Sequence, residues 1–75
     1  MRYPKANAEE LQAPKGKFRV IGVDLKAAAI ANYHVGDFET LAMAKKVAKG
    51  KASVGNPIYI YDDTSELVVR YGSWH

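Results

Sequence analysis

The chain has 75 residues, of which 48% are hydrophobic and 25% are charged, and it contains no cysteine. These proportions exclude a wholly disordered chain, and the length leaves room for one domain. Without cysteine, the protein has neither disulfide bonds nor a thiolate metal site. Its formal net charge of +3 permits nucleic acid or an acidic partner but requires neither.

Residues 1–17 have the composition of a flexible N-terminal tail. They contain Pro4, Pro14 and Gly16 among scattered charges, and no apolar run stands near their start. No segment of the chain reaches the roughly 20 apolar residues of a membrane-spanning helix. We therefore expect a cytoplasmic protein, with no membrane association, whose single domain covers residues 18–75.

The first two elements are predicted to be strands. The β-branched run from Phe18 to Leu25 predicts the first strand, and Tyr33 to Phe38 predicts the second, with a bend or bulge at Gly36 and Asp37. Residues 26–32 are too short for a stable helix and are expected to form a hairpin connection or a strand extension. By the strand period, the core face carries Ile21, Val23 and Leu25, and the other face carries Phe18 and Val20.

A helix is predicted to begin after Thr40 and to end between Gly50 and Ser53. The Thr40 hydroxyl can cap the first turn, and the acidic residues before it favour the positive end of a helix. Apolar residues at helical spacing predict the buried stripe, which is Leu41, Ala44, Val47 and Ala48. The same segment has no acidic residue and four lysines, which are Lys45, Lys46, Lys49 and Lys51.

Alternating apolar residues predict a second hairpin, formed by 58–61 and 66–71. Its turn is a four-residue loop from Asp62 to Ser65, which pairs Tyr61 with Glu66. In this register one face is aliphatic, with Ile58, Ile60, Leu67 and Val69, and the other is mixed, with Tyr59, Tyr61, Val68 and Arg70.

The order of elements is ββαββ, which predicts an α+β fold in which one helix covers one face of a four-stranded antiparallel sheet. The strand order 2-1-3-4 makes every neighbouring pair antiparallel. The predicted core between helix and sheet is Ile21, Val23, Leu25, Leu41, Val47, Ile58, Ile60, Leu67 and Val69.

Three segments resemble those of small bacterial or phage proteins that carry an uncharacterised ββαββ domain. The segments are FRVIGVDL, VGDFETLAMAKKVAKGKA and NPIYIYDD, and they span Phe18 to about Arg70. The resemblance consists of a strand followed by a helix start D-[FY]-x-T-L-x-x-A, and of a hairpin with Y-x-Y-D-D. Where that pattern has acidic residues after Leu41, this chain has Ala42 and Met43. The resemblance implies the fold, and it implies no activity, substrate or catalytic residue.

Few residues point to catalysis or metal binding. Asp62, Asp63, Ser65 and Glu66 have oxygens that could hold a hard cation, but Asp and Ser also supply the hydrogen bonds of a hairpin turn, and we favour the turn. His34 could share a metal with the C-terminal histidine only if that end folded back. The sequence has no phosphate-binding glycine loop and no nucleophile motif. We therefore predict no enzyme activity, catalytic residue, metal or cofactor.

The sheet face away from the helix is the feature most informative about function. We predict an interaction surface there, formed by Tyr59, Tyr61, Val68, Arg70, Phe18 and Val20. Three interpretations stay open: aromatic pairs that only stabilise the sheet, a surface for self-association or a protein partner, and a platform on which nucleic-acid bases stack.

The lysines of the predicted helix are a second candidate feature. Lys45, Lys46 and Lys49 could contact phosphates, although lysines late in a helix also complement its dipole. The predicted function is a non-enzymatic protein-interaction or accessory domain, expected to form a homodimer through the uncovered sheet face or an edge strand. The alternative is weak binding of single-stranded nucleic acid through the tyrosines, Arg70 and these lysines.

Overall fold

The computed structural model describes residues 11–24 and 31–72, which form an antiparallel sheet of four strands and one helix. The elements in chain order are β1 (Phe18–Asp24), β2 (Ala31–Phe38), α1 (Leu41–Lys51), β3 (Ile58–Tyr61) and β4 (Leu67–Tyr71). The strand order β2-β1-β3-β4 confirms the predicted ββαββ fold and its topology. Leu25 and most of the predicted connection between the first strands lie outside the described residues, as does His75.

The helix begins and ends as the sequence predicts. The Thr40 hydroxyl accepts a hydrogen bond from the Met43 amide at 3.2 Å, which satisfies one of the unpaired donors of the first turn. At the other end, the Ala52 amide donates to the Ala48 carbonyl at 2.9 Å. No helix in the described part of the chain is long and apolar enough to cross a membrane.

The core between helix and sheet is built from small helix residues against β-branched strand residues. Ala44 and Ala48 have no exposed surface and let α1 lie close to the sheet. The strand residues beneath them, equally buried, are Val20, Ile58 and Ile60. Partly buried residues around this cluster include Phe18, Phe38, Leu41, Val69 and Tyr71. We call this side of the sheet the helix face.

The predicted orientation of the first strand is wrong. Val20 is the cross-strand partner of Ile60, and Ile21 is the partner of Tyr59. Because paired residues share a face, Val20 lies under the helix, while Ile21 and Val23 lie on the opposite face. β1 is a central strand that is apolar on both sides, so its alternation does not reveal which side meets the helix.

Gly22 of β1 leaves room for a tyrosine ring of β2 on the helix face of the sheet. Gly22 is the partner of Tyr33, and a Cβ on Gly22 would lie 2.2 Å from the Tyr33 ring. The Tyr33 hydroxyl donates to Asn56 Oδ1 at 2.7 Å, which fixes the ring across the glycine. The aromatic ring therefore fills space that a side chain at Gly22 would otherwise occupy.

The hairpin of β3 and β4 differs from the predicted register by two residues. Asp62 pairs with Glu66 through its amide, which donates to the Glu66 carbonyl at 3.0 Å, so the loop has one residue fewer than predicted. Ser65 takes a positive φ of 67°, which is typical of a three-residue hairpin loop. A bulge then shifts the register once more, so that Tyr61 pairs with Leu67 and Ile60 with Val69.

The two shifts explain which residues of β4 were predicted correctly. A shift of two restores the parity of the faces, so Val69 packs toward the helix and Arg70 shares a face with Tyr59, as predicted. The cross-strand partner of Tyr59 is Arg70, where the predicted partner is Val68. Leu67 lies before the bulge, pairs with Tyr61 and is 51% exposed. The prediction that Leu67 belongs to the core under the helix is therefore wrong.

Candidate interaction surfaces

The face opposite the helix is a second apolar cluster, which we call the tyrosine face. Its buried members are Ile21, Val23, Tyr59 and Tyr61. The rings of Tyr59 and Tyr61 are stacked, with centroids 6.4 Å apart and an interplanar angle of 23°. Tyr59 is only 4% exposed and Tyr61 only 6%. The tyrosines that the sequence assigns to an open surface are thus buried in the structure.

Residues from the predicted N-terminal tail lie against this face. Leu11 packs against the tyrosine face, and Ala13 is buried. The Ala13 amide donates to the Asp62 carbonyl at 3.1 Å, and Gln12 Nε2 donates to the Asp63 carbonyl at 2.8 Å. The structure thus differs from the prediction of a tail up to residue 17, because Leu11 has an apolar surface to cover.

Burial changes the acidity of one of these tyrosines. Removal of the Tyr61 side chain from water, together with the neighbouring Tyr59, raises the pKa of Tyr61 to about 12. Desolvation disfavours the charged phenolate, so this tyrosine stays neutral well above the pH at which an exposed one ionises.

The six residues of the predicted interaction surface are not brought together. Phe18 and Val20 lie on the helix face, so their predicted place on the interaction surface is wrong. Tyr59 and Arg70 are cross-strand partners and share a face. Val68 is the extra residue of the β4 bulge and is 38% exposed. The structure therefore leaves Val68 and Arg70 accessible on β4 and removes the other four residues from an open face.

The most exposed part of the sheet is its β4 edge, a term we use for Glu66, Leu67, Val68 and Arg70. All four residues are exposed, and two of them are large and apolar. Within the described residues, β4 pairs with β3 along one side and has no strand on its other side. An edge strand with exposed apolar side chains offers backbone donors and acceptors to another chain.

The opposite edge, β2, carries an ion-pair network instead. Arg19 Nε donates to Asp37 Oδ1 at 2.8 Å, and a second guanidinium nitrogen donates to Asp37 Oδ2 at 3.1 Å. His34 Nε2 lies 3.1 Å from the same carboxylate. The Arg19 hydrogen bond lowers the pKa of Asp37, against the smaller effect of its burial. A bulge at Val35 also interrupts this edge, close to the bend predicted at Gly36.

The acidic residues of the β3–β4 loop stabilise the turn. Asp62 Oδ1 accepts hydrogen bonds from the Thr64 hydroxyl, the Thr64 amide and the Glu66 amide, and these bonds lower the pKa of Asp62. Asp63 Oδ2 accepts from the Gly16 amide at 3.0 Å. In the part of the chain that is described, no group of three or more His, Cys, Asp or Glu is placed to hold a metal ion.

The lysines of α1 remain accessible. Lys45, Lys46 and Lys49 are exposed, and Lys49 Nζ lies 5.6 Å from the centroid of the Tyr71 ring, within range of a cation–π contact. The lysines lie on the helix and the stacked tyrosines lie on the far side of the sheet, so the two groups do not form one surface.

Comparisons with protein-family models, with curated proteins and with solved structures found no match to the chain. Its function must therefore be inferred from its own surface. Sequence reasoning missed the exposure of Leu67 and the pairing of Arg19 with Asp37. The opposite charges of Arg19 and Asp37 can be read from the sequence, but only the registers show which residues meet.

Proposed function

We propose that the protein is a non-enzymatic protein-interaction domain whose binding element is the β4 edge. The observation that carries the proposal is the exposure of Leu67 and Val68, 51% and 38%, on a strand that has a neighbour along one side only among the residues the structure describes. A protein chain that adds a strand to such an edge gains main-chain hydrogen bonds and covers the apolar side chains.

Neither the other edge nor the tyrosine face supports binding as well. On β2, the bulge and the Arg19–Asp37 pair are features with which proteins discourage strand addition. On the tyrosine face, Tyr59 and Tyr61 are already buried, so a partner would first have to displace the residues that cover them. The β4 edge needs no such rearrangement.

Site-specific photo-crosslinking tests this proposal. A benzophenone amino acid replaces Val68 in one variant and Val54 in a control, because Val54 is an exposed valine outside the sheet. Irradiation of cells that express each variant should give a defined protein adduct from position 68 and none from position 54. Equal adduct patterns from both positions, or no adduct from either, would refute a binding role for the β4 edge.

Single-stranded nucleic-acid binding is the second candidate, supported by the exposed Lys45, Lys46 and Lys49. Burial of Tyr59 and Tyr61 takes away its stacking platform, so binding would rest on phosphate contacts alone. Such binding should fall steeply with ionic strength and should be lost when the three lysines are replaced by glutamine. No measurable binding to an oligonucleotide at low salt would eliminate this candidate.

A further inference from the structure

We infer that the β4 edge binds an extended segment of another protein that has two adjacent acidic residues, which lie beside Arg70 and Tyr71 when the segment adds to β4. The inference rests on the interaction role proposed above and adds the chemistry of the partner. The charges at the two ends of β4 and the register of the hairpin support it.

Two cations lie on opposite sides of the sheet at the C-terminal end of β4. Arg70 pairs with Tyr59 and therefore lies on the tyrosine face. Tyr71 belongs to the helix face, where Lys49 Nζ lies 5.6 Å from the centroid of its ring. Arg70 and Lys49 are exposed, and within the described part of the chain neither forms an ion pair. Both cations are therefore accessible to carboxylates of a partner.

A strand added to β4 would meet these two cations with neighbouring residues. Successive side chains of a strand point to opposite faces, so the residue opposite Arg70 would lie on the tyrosine face and the residue opposite Tyr71 on the helix face. A carboxylate at the first position can pair with the Arg70 guanidinium across the strands. A glutamate at the second position can meet the Lys49 ammonium, which is carried on a flexible stem. Two consecutive acidic residues therefore fit this end of the strand.

The other end of the β4 edge selects against a ligand that is acidic along its whole length. Glu66 is exposed there, and Asp63 stands in the adjoining loop. Acidic side chains placed opposite Glu66 would be repelled, which confines the favourable acidic pair to the end near Arg70.

The middle of the β4 edge favours a protein segment over a nucleic-acid strand. Leu67 is 51% exposed and lies on the tyrosine face as the partner of Tyr61. An apolar residue of an added protein strand would cover Leu67 and remove its surface from water. A nucleic-acid strand has a charge on every phosphate and no main-chain amides to pair with β4, so it would meet the acidic end and leave Leu67 uncovered.

Selection from a random-peptide phage library, with the purified full chain as bait, tests the inference. Enriched peptides should share two adjacent acidic residues close to an apolar residue. A bait in which Lys49→Glu and Arg70→Glu are combined should instead enrich peptides with adjacent basic residues, because the charge at this end of β4 is reversed.

The affinity of an enriched peptide, measured by fluorescence anisotropy with a labelled synthetic copy, tests each contact separately. Lys49→Glu and Arg70→Glu should each weaken binding about tenfold. Leu67→Thr keeps a strand-forming residue, removes aliphatic surface and should weaken binding about fivefold. Lys51→Glu is the charge-matched control, since Lys51 is exposed at the end of α1 on the other side of the helix from Lys49, and it should leave binding unchanged. Thermal melts verify that each variant is folded.

The outcomes separate this inference from the proposed function. No enrichment, enrichment without acidic pairs, or a preference that the double charge reversal does not invert would overturn the acidic partner. If position 68 still crosslinks a protein in cells, the interaction role stands. Peptide binding that Leu67→Thr leaves unchanged would show charge attraction without strand addition and would also overturn the inference.

Two other occupants have distinct signatures. A single-stranded oligonucleotide that binds more tightly than the enriched peptide would overturn the choice of a protein segment. Dimerisation of the purified chain in sedimentation velocity, lost in Leu67→Thr, would make a second copy the occupant and would overturn the inference as well.

Discussion

Val20 of β1 and Ile60 of β3 are cross-strand partners, and neither side chain has any exposed surface. The next pair along the strands, Ile21 and Tyr59, lies on the other side of the sheet and is buried as well. The centre of the sheet is therefore covered on both faces, by α1 on one side and with Leu11 packed on the other. What remains accessible is the rim, and β4 is its more apolar part.

Val20 should be more sensitive to truncation than Leu67, which is the reverse of what the sequence predicts. Val20→Ala removes two buried methyl groups and should lower the free energy of unfolding by about 1 to 3 kcal/mol. Leu67→Ala removes more atoms from an exposed position and should cost less than about 0.5 kcal/mol. Urea denaturation of both variants measures the difference, and a larger loss for Leu67→Ala would contradict the register of the hairpin.

Tyr59 should also behave as a core residue. Because Tyr59 is 4% exposed, Tyr59→Ala should lower the free energy of unfolding by about 3 to 5 kcal/mol, comparable to Ile60→Ala at about 2 to 5. The sequence alone predicts a much smaller cost for Tyr59, since it assigns that ring to an open face. A melting temperature of Tyr59→Ala close to that of the unmodified chain would show that the tyrosine face is not packed.

Gly22 should tolerate no side chain while Tyr33 is present. Gly22→Ala forces the Tyr33 ring away from its bond to Asn56 and should cost about 1 to 3 kcal/mol. Tyr33→Ala in the same chain removes the clash, so the two substitutions should be strongly non-additive. Gly50→Ala is the control, because nothing lies within 4 Å of its added Cβ and alanine favours the helix. Additive losses would contradict the contact.

The Arg19–Asp37 pair should stabilise the fold at pH values above those at which Asp37 titrates, and this stabilisation should be lost in acid. The pKa of Asp37 is lowered in the folded chain, so its contribution is complete above the unfolded value near 4 and disappears as the pH falls through the lower folded value. Both side chains remain partly exposed, so the gain is only about 1 kcal/mol. Asp37→Asn should remove it, and the two chains should become equally stable in strong acid.

The sequence predicts the type of each element better than it predicts the sides of the strands. The helix carries its own signals, since Thr40 caps it and Ala44 and Ala48 recur at its period. A strand face depends on a partner chosen by the register. In β1 both sets of alternating residues are apolar. The set that meets the helix includes Gly22, which has no side chain, so alternation does not identify this set as the core side. The sequence does not predict that Leu11 packs on the tyrosine face either, because a single leucine among polar residues is also typical of a flexible tail.

The candidate site shows the same limit. Alternation along the strands predicts that Tyr59 and Arg70 share a face, and this holds in the structure because the two register shifts of the hairpin cancel in parity. Exposure of Leu67 follows from the loop length and the bulge, and neither is encoded by alternation. The position of Asp62 does signal the turn, but not the three hydrogen bonds to its Oδ1 that set the loop geometry.

Burial of Tyr61 should make the protein lose stability in a defined alkaline range. In the unfolded chain this tyrosine releases its proton near pH 10, whereas in the folded chain its pKa is about 12. Between these values the unfolded state has lost a proton that the folded state still holds, so the free energy of unfolding falls as the pH rises from 10 to 12. Tyr61→Phe cannot ionise and should lose less stability over that range, as measured by urea denaturation at each pH.

Tyr33→Phe is the matched control, since its ring is not part of the buried tyrosine cluster, and it should keep the full alkaline loss of stability. Identical pH profiles for Tyr61→Phe and the unmodified chain would show that the Tyr61 ring is not desolvated in the folded protein.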